Sequence, residues 1–472
     1  MHPTRYISHP NQPPTDLSSA ADTIHDALIS NLQRLRRHPS SRPGVYLGSA
    51  GALLTDWHVA FVLPSLVLPK AYSPQTFTPG PFSPPRTGAQ ASFLETSVGP
   101  ATLLLIQQLH EPRDTGAWKD CIRLLDGALR VALREEVDDD GCEVLYGRAG
   151  LLYALLLLRS ELTGSEESST VRDIVAQLTS DTHIRTLVDD IVQRGRFGAQ
   201  EFQKELEKDE RAHAPPLMWS WHGKRYLGGA HGVSGILQML VSSPTVALAP
   251  HWVAVLGTVE WLLAIQEPLG NWPSKAGRHM ARTAGGSATS RAAKRVSVED
   301  DACDSLVQWC HGAPGVLILL ASLLRRGGPV LPVSAKLREA AIAALKRGGE
   351  LVYTRGLLRK GVGLCHGVAG SVYALLAVAD VLDPDNDRDQ AQHDAYWLER
   401  AADLALRATA YRGYEQKGEM LIPDRPYSLY EGVGGMCCAW AEVLARLRVR
   451  EEGRAGGWRR GMPGYDDLRF EC

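Results

Sequence analysis

A glycine motif that occurs in seven copies is the strongest constraint on how this chain of 472 residues can fold. Each copy reads Gly-x-x-Gly and is followed by an apolar run, and successive copies begin roughly 50–85 residues apart. The copies begin at Gly48, Thr96, Gly147, Gly232, Gly312, Gly367 and Gly432, the second being the degenerate form Thr-Ser-Val-Gly. A repeat of this length accommodates two helices with their loops.

The apolar runs and the segments between them have different helical patterns. Runs such as GLLYALLLL after the third copy and GVLILLASLL after the fifth are apolar nearly all round, which predicts helices buried on more than one face. The segments 118–134 and 334–353 have the amphipathic period of surface helices instead. The alternation predicts one all-α domain over residues 1–472, an (α/α)7 toroid with the glycine-started helices inside. All seven glycine loops would then gather at one end, where we expect a site.

Composition narrows the functional classes. Hydrophobic residues make up 44% of the chain, which is an ordinary globular composition. The 51 basic and 53 acidic residues give a net charge of −2, so the chain lacks the basic excess that would indicate a nucleic-acid partner. No continuous apolar run reaches the ~18 residues of a membrane span, and the start lacks the apolar stretch of a signal peptide. We expect a cytoplasmic protein without a transmembrane segment. Polar stretches at 73–90, 275–302 and 383–393 predict loop insertions.

Copies five and six carry residues that packing does not require. They read Trp309-Cys310-His311-Gly312 and Leu364-Cys365-His366-Gly367, so two neighbouring loops of a closed ring would both present Cys-His-Gly. Two cysteines and one histidine with no fourth protein ligand are typical of catalytic zinc, whose open position takes water or substrate. We predict a zinc ion at Cys310, Cys365 and His366. His311 is the alternative ligand or a group beside the metal, and two buried structural cysteines are the alternative to any metal.

The charge of this ligand set favours thiol chemistry. Zn²⁺ with two thiolates and a neutral imidazole is formally neutral, and a substrate thiol at the open position is drawn below its free pKa of about 8.5. The two thiolate ligands donate electron density, so the bound sulfur stays nucleophilic. The predicted function is therefore activation of a thiol.

Further candidates lie in the same series of loops. His231 in copy four is a candidate general acid or base, and Glu143, four residues before Gly147, is a second ionisable group at the same ring end. The alternatives are a hydrogen-bonded structural histidine and a solvated loop carboxylate. Lys360 and the stretch Pro423-Asp424-Arg425 supply charges that could hold the carboxylates of an acidic thiol substrate, the alternative being ordinary surface charge.

The motifs WCHGAPG, GLCHGVAG, GGAHGVSG and SLYEGVGG together resemble the lanthionine cyclase (LanC) superfamily, and more closely its eukaryotic LanC-like branch. The resemblance runs from about Tyr46 to Glu442. It implies an (α/α)7 toroid with zinc held by the residues matching Cys310, Cys365 and His366. Bacterial members add peptide cysteine thiols to dehydroalanine or dehydrobutyrine, whereas eukaryotic members bind glutathione and are credited with adding it to such electrophiles.

The resemblance also assigns individual positions. The active-site histidine of the family matches His231, and the acidic residue of the bacterial cyclases falls at Glu143. The lysine that contacts glutathione matches Lys360, and a Pro-Asp pair that also contacts it matches 423–424. There are two departures. Leu421 replaces an arginine of the glutathione-binding members, for which Arg425 is the nearby candidate substitute, and Leu306 replaces an arginine of the bacterial cyclases, which argues against a peptide cyclase.

The leading hypothesis is a zinc-dependent glutathione transferase that acts by conjugate addition to dehydroamino acids, in proteins or peptides, or to similar electrophiles. A non-catalytic glutathione- and zinc-binding signalling adaptor is one alternative. A structural zinc scaffold for protein partners and a peptide-modifying lanthionine cyclase are the others.

Overall fold

A computed structural model describes residues 4–14, 16–66, 82–112, 116–162, 169–277, 305–383, 395–451 and 461–468. Within these ranges the chain is helical, and β-pairing is limited to isolated bridges such as Tyr226 with Lys275. The α-helices are α1 Leu17–Arg37, α2 Ser49–Val62, α3 Val98–His110, α4 Trp118–Arg134, α5 Arg148–Ser160, α6 Thr170–Leu178, α7 Asp181–Glu205, α8 Val233–Val241, α9 Thr245–Leu248, α10 Trp252–Ala264, α11 Ala313–Arg326, α12 Ala335–Arg355, α13 Val368–Leu382, α14 Tyr396–Ala408, α15 Tyr411–Gln416 and α16 Val433–Glu451. Short 3-10 helices cover Gly88–Gln90, Arg211–His213 and Ala249–His251.

Seven helices form a closed inner ring, and each begins at a copy of the glycine motif. Helix α2 packs on α3, α3 on α5, α5 on α8, α8 on α11, α11 on α13, α13 on α16, and α16 returns to α2. The remaining long helices lie outside this ring: α1 packs on α14 and α16, α4 on α3 and α7, α12 on α11 and α13, and α14 on α13. The predicted all-α toroid of two concentric rings is confirmed.

Burial differs between the two rings as the sequence pattern predicts. In α11 every residue from Ala313 to Leu324 is buried, because this helix has ring neighbours on both sides, an outer helix behind it and the toroid interior in front. Helix α4 buries a single stripe, made of Cys121, Leu124, Leu125, Ala128, Leu129 and Ala132. Helices that are apolar on nearly all sides thus form the inner ring, and amphipathic helices cover it from outside.

The three predicted insertions fall largely outside the described residues. Of the first, residues 82–90 are described and include the 3-10 helix at 88–90, and of the second, residues 275–277 are described. Of the third, Asp383 is described, and its carboxylate accepts hydrogen bonds from the backbone amides of Trp397 and Leu398 at the start of α14. The remaining residues of the three insertions lie outside the described ranges.

One stretch, Thr245–Ala264, is long and apolar enough to cross a membrane by length and composition alone. It comprises α9, a 3-10 turn and α10, and half of it is buried inside the protein. A core helix of a soluble protein has the same properties, so this single stretch is weak support for a membrane span. The expected cytoplasmic location stays a prediction.

Candidate metal centre and substrate site

A circle of backbone hydrogen bonds joins the seven glycine loops at one end of the toroid. Each bond runs from an amide of one copy to a carbonyl of its ring neighbour. The pairs are Tyr46 N to Leu94 O at 3.0 Å, Phe93 N to Gly150 O at 3.2 Å, Val144 N to Ala230 O at 3.1 Å, Gly229 N to Trp309 O at 3.0 Å, Cys310 N to Cys365 O at 3.2 Å, Cys365 N to Tyr430 O at 2.8 Å, and Tyr430 N to Tyr46 O at 3.2 Å. The two cysteine loops are therefore bonded directly to each other.

Glycine is required where these loops turn and touch. Gly312, which ends the Cys310 loop, has φ +99°, and a Cβ there would lie 2.1 Å from the carbonyl oxygen of Leu306. Gly228 has no room for a side chain either, because a Cβ would lie 2.0 Å from the carbonyl oxygen of Cys310. The glycines thus allow the close backbone approach that brings the residues before them together.

Cys310, Cys365 and His366 form the cluster that the sequence predicts. Their ligand atoms all lie within 4.8 Å of one another, and the two cysteines are buried while the histidine is half-buried. The Nε2 amide of Gln308 donates to the Cys310 sulfur at 3.1 Å. Among the described residues these three could hold a metal ion, and His311, the alternative ligand, is not one of them.

The two sulfurs influence each other's ionisation. A hydrogen bond from the Cys365 thiol lowers the pKa of Cys310 well below its ordinary value, and His366 and His311 act in the same direction. Burial raises the pKa of Cys365, as does the adjacent Cys310 charge, while the Tyr46 hydroxyl and Lys360 oppose this rise. One proton is thus shared between two sulfurs, and binding of a metal ion would release it.

The half-buried His231 and the buried Glu143 form a pair in the neighbouring loops. Glu143 accepts hydrogen bonds from the backbone amides of Leu145 at 2.7 Å and Tyr146 at 2.6 Å, and from Nδ1 of His231 at 2.9 Å. The carboxylate is 1% exposed, so the alternative of a solvated loop residue is wrong. The bond to Glu143 assigns the ring hydrogen to Nδ1 and leaves Nε2 as a proton acceptor. The ring is held flat against Trp221, with 3.8 Å between centroids.

His311 lies between the metal cluster and His231. The Tyr226 ring bridges the two histidines, with its centroid 5.4 Å from His311 and 6.1 Å from His231. Burial lowers the pKa of His311, the Cys310 charge opposes this, and His231 and Lys360 reinforce it. Nδ1 of His311 is buried without a hydrogen-bond partner among the described residues. His311 is therefore a polar neutral group beside the sulfurs.

The predicted substrate-binding residues fall into two groups: Lys360 and Pro423 lie near the cluster, whereas Asp424 and Arg425 line a cavity. Lys360 is exposed, and its charge acts on both Cys365 and His311, so it faces the cluster. Pro423 lies beside Gly361, the residue that follows Lys360, because a Cβ at Gly361 would lie 3.7 Å from the proline ring. Asp424 and Arg425 are exposed and line a cavity of 380 Å³ between the end of α1 and the last glycine loop, whose lining includes neither Lys360 nor the metal cluster.

Several residues of this loop circle were missed by the sequence analysis. Tyr46 acts as a hydrogen-bond partner of Cys365, and burial raises its own pKa well above the ordinary value. Glu95 lines a second cavity, of 260 Å³, with Arg42 and Ser97. Burial raises the pKa of Glu95 to about 7, and Glu431 and Glu143 contribute to the rise. Aligning the copies on their first residue gives the signal that finds them, since Tyr46 takes the position of Cys365, and Glu95 that of His366.

Comparison with known proteins identifies the family. The model of the family "Lanthionine synthetase C-like protein" matches residues 92–448. The chain belongs to this family. It is 28% identical to the zebrafish (Danio rerio) protein named glutathione S-transferase LANCL1 over 309 residues, which cover 65% of this chain and 60% of the relative. It is 30% identical to LanC-like protein GCL1 of Arabidopsis thaliana over 306 residues, which cover 64% of this chain and 55% of that relative.

The matches thus span somewhat more than half the length of these two relatives. The solved structure named nisin cyclase is also similar, with a TM-score of 0.47 and 13% identity over 93% of this chain and 100% of that one. The predicted resemblance to the LanC-like family, in its eukaryotic branch, is confirmed.

Proposed function

We propose that Cys310, Cys365 and His366 hold a zinc ion and that the site activates a thiol, most directly that of glutathione, for conjugate addition. The observation that supports the proposal is the convergence of three ligand atoms within 4.8 Å of one another. In an ideal tetrahedral zinc site, with bonds of 2.0–2.3 Å, such atoms lie about 3.5–3.8 Å apart, a separation that the 4.8 Å limit includes, and two sulfurs with one imidazole nitrogen are donors that suit zinc. When bound, zinc would supply a fourth position at which a substrate thiol loses its proton more easily.

We assign proton transfer to His231 and the positioning of its ring to Glu143. Nε2 of His231 accepts the thiol proton, and Glu143 behind it fixes the ring and stabilises the cation that forms. The substrate sulfur then forms a bond to the β-carbon of a dehydroamino acid, whose π electrons move towards the α-carbon and its carbonyl. His231 returns its proton to the α-carbon. The reaction is a net addition with no leaving group.

The charges at the mouth suit an anionic thiol. Lys360 is exposed, faces the cluster and has no hydrogen bond or ion pair among the described residues, so it is available to a substrate carboxylate. We assign it to a glutathione carboxylate. Pro423 packs beside Gly361, the residue after Lys360, and Asp424 and Arg425 are proposed as outer contacts to glutathione from the cavity that they line. The relative named glutathione S-transferase supports the choice of thiol.

Metal analysis with matched variants tests the proposal. The purified protein is expected to hold one zinc ion, and Cys365→Ala is expected to lose both zinc and glutathione binding. His366→Gln and His311→Gln change the same residue type at equivalent loop positions. In the cobalt-substituted protein His366→Gln should alter the visible absorption, and His311→Gln should leave the ligand number unchanged. A Cys365→Ala protein that keeps its zinc and the full rate of thiol addition would refute the proposal.

A further measurement separates catalysis from simple binding. His231→Ala leaves the three metal ligands in place but removes the proposed proton acceptor. We expect zinc content and glutathione affinity to persist while the rate of thioether formation falls about 10²-fold or more. Unchanged turnover in this variant would favour a role for the site in binding alone.

A further inference from the structure

The eight residues Gly461–Leu468, here called the core segment, are buried without exception. Tyr465 is fully buried, and so is Met462, while Asp466 and Asp467 are 7% and 6% exposed. A stretch with the sequence Gly-Met-Pro-Gly-Tyr-Asp-Asp-Leu has no helical period and carries two acids, so its burial needs partners elsewhere. The inner ring supplies them.

The contacts of the core segment come from opposite sides of the ring. The Tyr153 hydroxyl of α5 donates to Oδ1 of Asp467 at 2.7 Å. Burial raises the pKa of Asp466, and the half-buried arginines Arg325 of α11 and Arg446 of α16 oppose this rise. Because α5, α11 and α16 belong to well-separated parts of the inner ring, the core segment lies in the space that the ring encloses.

At its other face the core segment touches two residues that are directly linked to the two cysteines. The Tyr465 ring packs edge-on against Trp309, with centroids 5.0 Å apart. The carbonyl of Pro463 accepts a hydrogen bond from the Tyr430 hydroxyl at 2.9 Å. Trp309 directly precedes Cys310, and the carbonyl of Tyr430 accepts the Cys365 amide at 2.8 Å. The core segment is thus connected to Cys310 through Trp309 and to Cys365 through Tyr430.

We propose that the core segment is a positioning element for the metal centre, which sets the spacing of the Cys310 and Cys365 sulfurs through Trp309 and Tyr430. The inference rests on the proposed zinc site and goes beyond it by assigning a role to residues that are far from the ligands in sequence. Trp309 and Tyr430 also pack on each other at 5.5 Å, and Tyr430 stacks on Tyr46 at 4.7 Å, so a shift of the core segment is passed to both cysteine loops.

Two tyrosines allow a matched test. Tyr430→Phe removes the hydroxyl bond to the core segment on the cysteine side, and Tyr153→Phe removes an equivalent bond on the α5 side. Both variants keep the ring and lose one buried hydrogen bond. Affinity for Zn²⁺ is measured by competition with a chromophoric chelator, and the geometry by the absorption of the Co²⁺ form. We expect Tyr430→Phe to weaken Zn²⁺ binding about three- to tenfold and Tyr153→Phe to change it less than twofold.

A second pair covers the case in which Tyr430→Phe does not fold. Tyr465→Leu removes the aromatic edge against Trp309, and Tyr465→Phe keeps that edge while removing only the hydroxyl. We expect weaker Zn²⁺ binding, by about threefold or more, for the leucine variant and near-normal binding for the phenylalanine variant. Equal Zn²⁺ affinity in all four variants and the parent, or equal losses for Tyr430→Phe and Tyr153→Phe, would overturn the inference. A parent protein that binds no Zn²⁺ would instead refute the proposed zinc site.

Discussion

Glu95→Gln is the substitution whose effect on stability the structure defines most sharply. The Glu95 carboxyl is half-buried at the mouth of the toroid and has no hydrogen bond or ion pair among the described residues. Burial raises its pKa from 4.5 to about 7, with Glu431 and Glu143 adding to the rise and Arg42 and His231 opposing it. The folded state therefore binds the proton more tightly than the unfolded chain does.

The sign and size of the effect follow from this difference. The contribution of Glu95 to stability is fully present below about pH 4.5 and is lost as the pH rises through about 7. A pKa that rises from 4.5 to about 7 corresponds to about 3 kcal/mol, at about 1.4 kcal/mol per pH unit. Solvent screening of a half-exposed group reduces this to about 1–2 kcal/mol. Glu95→Gln should therefore be nearly neutral at pH 4.5 and stabilising by about 1–2 kcal/mol at pH 8.

Thermal unfolding between pH 4.5 and 8 measures the difference. For a chain of this size about 1 °C per kcal/mol is expected, so the variant should melt about 1–2 °C above the parent at pH 8 and level with it at pH 4.5. Glu136→Gln makes the same charge change at an exposed position and serves as the control. Glu431→Gln should shift the pH-dependent range downwards, because it removes a charge that raises the pKa of Glu95. A difference in melting temperature that is the same at every pH would refute the reasoning.

Three further predictions address the scaffold and the substrate site. Gly312→Ala should cost about 2 kcal/mol or more and lower metal affinity, because the φ of +99° and the Leu306 carbonyl exclude a Cβ, whereas Gly127→Ala, with nothing within 4 Å, should be neutral or stabilising by thermal unfolding. Arg148→Met should cost about 3–5 kcal/mol in the same assay, since it leaves the partners of a fully buried arginine without their cation. Lys360→Gln should weaken glutathione binding about five- to tenfold by calorimetry and reduce its salt dependence; unchanged binding would remove Lys360 from the substrate site.

The architecture and the metal cluster could be predicted from the sequence because both depend on local patterns. Each glycine motif marks the start of an inner helix, and Cys310 and Cys365 stand at the same position of two consecutive copies. Ring neighbours in sequence are neighbours in space, so the spacing alone places the two sulfurs together. The choice between His311 and His366 was open, since both follow a cysteine, and only the three-dimensional arrangement brings the His366 nitrogen to the sulfurs.

The features that the sequence did not predict depend on partners distant in the chain. The burial of Glu143 follows from two backbone amides and His231, which lies 88 residues further on. Asp466 is buried because arginines on inner helices face it, and no local pattern signals that environment. Arg425 lines a cavity with residues that follow α1, a neighbourhood that no local pattern signals.

The position directly before the first residue of each copy shows how one scaffold can hold different chemistry. In copy order it is occupied by Leu47, Glu95, Tyr146, His231, His311, His366 and Glu431, all of them half-buried. The fold requires the glycines, because they allow the loops to touch, but it places no such demand on the residue before them. The three histidines follow one another in adjacent copies, so they form one continuous arc of the mouth, with the metal cluster at one end and the Glu143-supported His231 at the other. Glu431 and Glu95 lie on the opposite arc, where no metal ligand is found among the described residues. The ring thereby separates the side for which we propose metal binding and proton transfer from an acidic side, and we expect substitutions at this one position to change the chemistry without disturbing the toroid.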